Sequence, residues 1–332
     1  LAVAVANASQ VGEARRLASA LAEQSGFDAA GVARVALVVT ELASNLAKHA
    51  HDGELLIRAI ARSLSSGIEI LSIDRGPGMA DPERCLRDGY STAGSPGTGL
   101  GAVARLSRSL DIFSTPIAGT ALIARIWSGP TTNLSPDELA VSAVCVPKSG
   151  ETECGDAWAT EIIDGGRMVL LLVDGLGHGH GAAEAARLAV NTFRGSVRLG
   201  PVEIVRTMHL ALRATRGAAV AVAEIDPRTA NLRFAGVGNI SAAVVHNGNI
   251  RRMVSHNGTV GHAVHKVQEF TYSFFRGALM ILHTDGLGTR WNLAAYPGLL
   301  ARDPGLVAGV LYRDFRRGRD DVTVTAVGQG KE

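Results

Sequence analysis

The sequence predicts an α+β protein of two domains, an α/β sandwich followed by a β-sandwich flanked by helices. Three observations predict it. A length of 332 residues suits two cores of roughly 150 residues each. The texture changes along the chain, from helices mixed with a few strands to many short strands interrupted by helices. Between the two textures, Ser128 to Asp137 (S-G-P-T-T-N-L-S-P-D) concentrates turn formers without an apolar period, as a domain boundary does. The expected division is residues 1–128, a linker over 129–137, and residues 138–332.

In the first half, helical periodicity runs from Ser9 to Ser25, then from an Asp28 N-cap to about Ala50, where Val35, Val38, Val39 and Leu42 share one face. Strands are predicted over Glu54–Ala61 and Ile68–Ile73, then a glycine-rich loop, a helix over Ala102–Arg108 and strands over Leu110–Ser114 and Thr120–Trp127. The second half carries strands over Leu139–Val146, Ala157–Ile163, Met168–Val173, Ala218–Ile225, Leu232–Phe234, Ala242–His246, Phe270–Phe275, Leu279–His283 and Val322–Val327. Two helices, Gly181–Phe193 and Val202–Arg213, interrupt them.

Composition narrows the function classes. With 46% hydrophobic and 19% charged residues, disorder is excluded. The 39 glycines among 332 residues exceed the usual share of about 7%, whereas the 11 prolines do not, so the glycines mark tight loops and close backbone approaches. Thirty-three basic against 31 acidic residues give no overall field for nucleic acid or an anionic membrane. The apolar start, Leu1 to Ala6, lacks the flank and length of a signal peptide, and no stretch reaches the ~18 uninterrupted apolar residues of a spanning helix. A cytoplasmic location is expected. Cys85, Cys145 and Cys154 are odd in number, with no C-x-x-C; they fit a reducing compartment and are expected to be small hydrophobic side chains.

Four signals in the first half point to a nucleotide. Glu41, Asn45 and His49 in E-L-A-S-N-L-A-K-H-A stand four residues apart on one helix face. Ile73-Asp74-Arg75-Gly76-Pro77-Gly78-Met79 ends a strand with an acceptor carboxylate, able to take a hydrogen bond from an adenine amino group, beside glycines that allow close approach. Gly97-Thr98-Gly99-Leu100-Gly101 opens a helix whose N–H groups suit phosphates, and Gly119-Thr120 starts the last strand.

In order and spacing these signals resemble the GHKL ATP-binding (Bergerat) fold. The segment D-G-Y-S-T-A-G-S-P-G-T-G-L-G-A-V-A-R-L, from Asp88 to Leu106, resembles the switch serine kinases of bacterial stressosomes, relatives of the anti-sigma-factor kinases. The resemblance implies ATP and Mg²⁺ as cofactors, with Asn45 holding Mg²⁺ against the phosphates and Glu41 acting as general base on a serine hydroxyl. It also implies Asp74 and Thr120 at the adenine, Gly76 and Gly78 along base and ribose, and Gly97, Gly99 and Gly101 at the phosphates. Lys48-His49-Ala50 is closer to the anti-sigma proteins.

The second half places carboxylates where strands begin or end: Gly155-Asp156, Val173-Asp174-Gly175-Leu176-Gly177-His178-Gly179, Thr284-Asp285-Gly286-Leu287 and Arg319-Asp320-Asp321-Val322. Clustered carboxylates call for compensating cations. Oxygen ligands without a His/Cys set suit Mg²⁺ or Mn²⁺, and two such ions can activate water for attack on a phosphoryl group. These signals, with F-A-G-V-G-N-I (Phe234–Ile240) and N-G-T-V-G (Asn257–Gly261), resemble the PPM-type Ser/Thr phosphatases of the SpoIIE-like branch.

That resemblance implies two Mn²⁺ or Mg²⁺ ions, with Asp174 bridging them and the Gly175 carbonyl, Asp156, Asp285 and Asp320 completing the shells. Asp321 stays open as the alternative to Asp320. It implies His178 as proton donor to the leaving oxygen, although two residues separate it from the Asp-Gly pair; a loop-capping role is the alternative. Together the halves imply a kinase and a phosphatase acting on STAS-domain anti-sigma-antagonist or stressosome scaffold proteins. The competing expectation keeps the phosphatase and makes the first domain an ATP-binding docking or gating element.

Overall fold

A short strand, β1 (Ala2–Ala4), leads into helix α1 (Ala8–Gln24), whose start is fixed by Asn7 Oδ1 accepting from Ser9 and Gln10 N–H. Helix α2 (Ala29–His49) starts at the expected cap, Asp28, whose carboxylate accepts from Gly31 N–H. There follow β2 (Glu54–Arg62), β3 (Ser65–Asp74), the short α3 (Pro82–Cys85), α4 (Gly99–Leu106), β4 (Ser109–Ser114) and β5 (Thr120–Trp127). This computed structural model describes residues 1–62, 65–86, 99–116, 118–130 and 138–329. Gly97, with residues 88–98 of the quoted kinase segment and most of the expected linker, lies outside them.

The strands form one antiparallel sheet in the order β1-β2-β3-β5-β4. One face, with Leu55, Ile57, Ile68, Ile70, Leu122, Ala124 and Ile126, packs on Ala14 and Ala18 of α1 and on Val35, Val38, Val39 and Leu42 of α2. This is the alternation of a half-buried strand meeting the apolar stripe of a helix. On the other face Glu69 of β3 stands in register between Arg58 of β2 and Arg125 of β5, at 2.6 and 2.8 Å.

The second half contains β6 (Leu139–Val146), β7 (Asp156–Ile163), β8 (Arg167–Gly175), α5 (His180–Ser196), α6 (Pro201–Ala211), β9 (Ala218–Asp226), β10 (Asn231–Val237) and β11 (Ser241–His246). After these come β12 (Asn249–Arg252), the two-residue β13 (Gly258–Thr259) and β14 (Ala263–Val264), β15 (Phe270–Ser273), β16 (Leu279–His283), α7 (Pro304–Phe315) and β17 (Val322–Gln329). Two five-stranded sheets, β15-β10-β9-β8-β7 and β12-β11-β16-β17-β6, enclose a core that includes Leu170, Leu172, Phe234, Val244, Met280 and Leu282. Helices α5 and α6 cover the outer face of the first of these sheets through Phe193, Ile204 and Met208.

The chain divides into two units, Leu1–Leu134 with Ala301–Arg313, and Ser135–Leu300 with Asp314–Lys331. Residues 301–313, expected with the second domain, therefore cluster with the first. They include most of α7, a helix the sequence reading missed. Gly309 stands against Leu71 and Ile73 of β3, where a Cβ would lie 2.8 Å from Leu71 Cδ2. Asp303 receives both terminal nitrogens of Arg125, at 2.6 and 2.9 Å. It also accepts from Gly305 N–H at the start of α7.

Candidate functional sites

In the first unit Asp74 and Thr120 are direct partners across β3 and β5. Burial raises the Asp74 carboxyl above its ordinary range, while hydrogen bonds from Gly76 and Thr120 N–H and the Arg313 guanidinium favour the ionised form. Gly76 N–H donates to Asp74 Oδ1 at 2.7 Å. The Thr120 hydroxyl lies 2.9 Å from Ser114 Oγ, which in turn accepts from Met79 N–H. Ser114 was not nominated from the sequence; it ties the Gly78-Met79 turn to Thr120.

The glycines here form a cradle that side chains would fill. A Cβ on Gly76 would lie 2.9 Å from Asp74 Oδ1, and one on Gly78, whose φ is +69°, would collide with the Thr115 carbonyl. Helix α4 packs on α2, and a Cβ on Gly99 would stand 2.7 Å from Glu41 Oε2. Glu41 and Asn45 are half-buried one turn apart, Gly101 is buried and His49 is exposed. A close glycine approach to one carboxylate, with a second carboxylate held by backbone N–H groups, fits a flat base and a phosphate chain.

In the second unit Asp156 and Asp174 are direct partners across β7 and β8. Burial raises Asp174, and the carboxylates of Asp285, Asp320 and Asp321 raise it further, to about 7. Burial and Asp174 likewise raise Asp156 well above its ordinary value, and burial and Asp320 raise Asp285. The five aspartates thus feel one another. Among the described residues no three His, Cys, Asp or Glu side chains are arranged to enclose a single ion. The donor set fits instead hard ions that keep several waters and take only one or two carboxylates each, and the repulsion is what cations relieve.

The open choice between Asp320 and Asp321 acquires a geometric basis. Asp321 is buried, and its carboxylate accepts from Lys148 N–H at 2.8 Å and Gly155 N–H at 2.9 Å. Asp320 is half-exposed and raises both Asp174 and Asp285. Asp321 anchors the loop before β7, which leaves Asp320 for the candidate site. Gly175 is buried, and a Cβ there would lie 2.4 Å from the Ala182 carbonyl.

Two supporting side chains were missed although they sit inside quoted motifs. Thr284 Oγ1 donates to Asp156 Oδ2 at 2.7 Å, and Asn239 Nδ2 donates to Asp285 Oδ2 at 2.8 Å. His178 is exposed, and its Nδ1 lies 2.7 Å from Glu151 Oε1; beyond burial, the charged groups that raise Asp174 are carboxylates. The expectation for the cysteines fails for Cys145, which is exposed, with its Sγ 3.6 Å from that of Cys154.

An antiparallel sheet backed by helices, with a carboxylate and glycine cradle at its edge, defines a nucleotide-binding unit. Two packed sheets with aspartates at their strand ends define a metal-dependent phosphatase fold. The chain belongs to the histidine kinase-like ATPase domain family, over residues 4–126, and joins it to a Stage II sporulation protein E (SpoIIE) domain over residues 164–328. It is 34% identical over 114 residues to the serine/threonine-protein kinase RsbT of Bacillus subtilis (strain 168), across 34% of this chain and 86% of RsbT.

A solved structure described as "The bacterial stressosome: a modular system that has been adapted to control secondary messenger signaling" is similar over 57% of this chain and 99% of its own, at 30% identity and a TM-score of 0.53. RsbX in complex with magnesium shares the fold over 59% of this chain and 98% of its own, at 20% identity and a TM-score of 0.53. One described helix, α2, is long and apolar enough to cross a membrane; its apolar face lies in the core of the first unit.

Proposed function

We propose that the protein is a cytoplasmic, bifunctional regulator of a bacterial partner-switching pathway, a protein serine/threonine kinase in its first unit and a Mn²⁺- or Mg²⁺-dependent phosphoserine/phosphothreonine phosphatase in its second. Its partners would be STAS-domain anti-sigma-antagonist or stressosome scaffold proteins. The observation that carries the proposal is the presence in one chain of both a Glu41/Asn45 helix face against Gly99 and the opposed Asp156 and Asp174. Likeness to RsbT supports the kinase half.

When bound, ATP supplies the phosphoryl group and its Mg²⁺ screens the phosphate charge. Glu41 would accept the proton of the partner's hydroxyl, Asn45 would hold the ion, and Asp74 with Thr120 would orient the base. Gly97, Gly99 and Gly101 would present N–H groups to the phosphates. In the phosphatase unit, divalent ions supply charge neutralisation and an activated water when bound. Asp156, Asp174, Asp285, Asp320 and the Gly175 carbonyl would hold them, Thr284 and Asn239 would orient two of these carboxylates, and His178, steadied by Glu151, would protonate the leaving seryl oxygen.

The test is phosphate transfer from labelled ATP to a STAS-domain partner by an Asp174→Asn protein, in which hydrolysis of the phosphorylated product would be disabled. Transfer that disappears in Glu41→Gln supports the kinase. Tight ATP binding with no transfer favours the docking or gating alternative.

A further inference from the structure

We propose that Cys145 and Cys154 form a reversible thiol–disulfide site, oxidised by a peroxide, that controls the neighbouring aspartate cluster. Cys145 lies near the end of β6 and Cys154 two residues before β7, and their sulfurs are 3.6 Å apart. Neither side chain takes part in the chemistry proposed above. Cys145 is exposed, so a small oxidant reaches it from solvent.

The segment between the two cysteines is wired to the candidate site. Its Lys148 N–H, with Gly155 N–H just beyond it, donates to the buried Asp321 carboxylate. Glu151 and Glu153 meet His178 and His180 at 2.7 and 2.9 Å. Asp156, the next residue after Gly155, opens β7 opposite Asp174.

A disulfide has an S–S length of about 2.05 Å, so the sulfurs must close by roughly 1.5 Å. Cys154 is two peptide bonds from Asp156, so the share of that closure taken up by the backbone, rather than by side-chain rotation, is felt at Gly155 and Asp156. Displacements of this order at a reacting centre cost up to ~10²-fold in rate. In cytosolic proteins, disulfides of this sort serve as transient sensors rather than staples.

The chemistry balances with hydrogen peroxide as the named oxidant. The Cys145 sulfur attacks one peroxide oxygen, the O–O bond breaks, and a sulfenic acid and one water form. The Cys154 sulfur then attacks the sulfenic sulfur, the S–O bond breaks, and a second water leaves. Two thiols have given two electrons and two protons to the peroxide. A small-molecule thiol reverses the bond by exchange.

The effect on catalysis rests on the phosphatase reading, so the test separates the two. The full chain is treated with hydrogen peroxide, alkylated and mapped by mass spectrometry without reduction, with Cys85 as the internal control. The expected result is a Cys145–Cys154 linked peptide while Cys85 is still alkylated. With it, the rise in Tm caused by Mn²⁺ should shrink and phosphoserine hydrolysis should fall roughly tenfold or more, both restored by dithiothreitol.

Cys145→Ser and Cys154→Ser should keep the Mn²⁺ response and activity of the reduced protein and lose the response to peroxide. Separate sulfinic acids, or oxidation of Cys85 before either, overturn the site. A complete disulfide that leaves the Mn²⁺ response and hydrolysis unchanged overturns the coupling. Absence of hydrolysis in the reduced protein sinks the phosphatase reading alone, and the linked peptide with the Mn²⁺ response then decides this one.

Discussion

The two candidate centres surround their buried carboxylates differently. In the first unit burial raises Asp74, while backbone N–H groups and a guanidinium favour its charge and work against that rise. In the second, Asp156, Asp174 and Asp285 are raised by burial and by one another. The chain supplies Asp74 with partners that oppose the effect of its burial, whereas the aspartate centre leaves a repulsion that bound cations would relieve. A ligand that fills the first gains contacts; a cation entering the second also removes strain. The same distinction holds within the first unit, where Glu69 shows a buried carboxylate neutralised by the protein itself.

The largest expected effect breaks the comparison at the nucleotide side. Glu41→Gln should lower phosphate transfer from ATP by about 10²- to 10⁴-fold with ATP affinity retained, as followed by labelled-phosphate transfer and calorimetry. Undiminished transfer would remove Glu41 as the base.

Asp174→Asn should reduce phosphatase activity by more than ~100-fold, because loss of even a supporting partner costs about 10- to 100-fold. At pH 8 it should also raise the Tm of the metal-free protein, since a repelled charge is gone, and abolish the Mn²⁺ shift. A falling Tm would show that repulsion does not govern this centre.

Glu69 provides the control for a buried carboxylate already neutralised by its own chain. Burial alone would raise its pKa, but Arg58 and Arg125 override burial and hold it down to about 2, against an ordinary 4.5. A depressed carboxylate stabilises the fold fully above its unfolded pKa and loses that contribution as pH falls toward the folded value. Ionised Glu69 thus contributes about 3 kcal/mol at neutral pH. Urea melts of wild type and Glu69→Gln should differ by that order at pH 7 and converge between pH 4.5 and 2. An unchanging gap across that window would rule the ion pairs out as its source.

The smallest effect sharpens the comparison. Asn239→Ala and Thr284→Val should each weaken Mn²⁺ affinity by about 10- to 100-fold and leave ATP affinity unaltered, as read by titration calorimetry. Unaltered Mn²⁺ affinity in both would mean that Asp285 and Asp156 need no orientation from these side chains.

Much of this was legible in the sequence because local chemistry recurs there. The Asp28 cap, the strand ending at Asp74 and the carboxylates at strand ends each follow from residue type and spacing. Helix α7 was not legible, for every residue from Pro304 to Arg313 is buried, and a helix without an exposed polar stripe has nothing to betray its period. Which of the adjacent Asp320 and Asp321 meets the N–H groups of Lys148 and Gly155 is decided by a contact spanning more than a hundred residues. Thr284 and Asn239 sat inside quoted motifs, but a hydroxyl or amide carries no sign of its partner until the strands are placed. Cys145 and Cys154 read as unrelated because no local spacing joins them.

The segment Ala301–Arg313 has a consequence for how the protein is made. It covers Leu71 and Ile73 and supplies Asp303 to Arg125, yet it is translated after most of the second unit. A nascent chain that has emerged only as far as residue 134 therefore lacks the segment that packs on Leu71 and Ile73, and its Arg125 has Glu69 as a partner but not yet Asp303. The contacts of this segment with Leu71, Ile73 and Arg125 become available only after residues 301–313 have been made. A gene fragment cut at the linker would encode a unit missing part of its own structure.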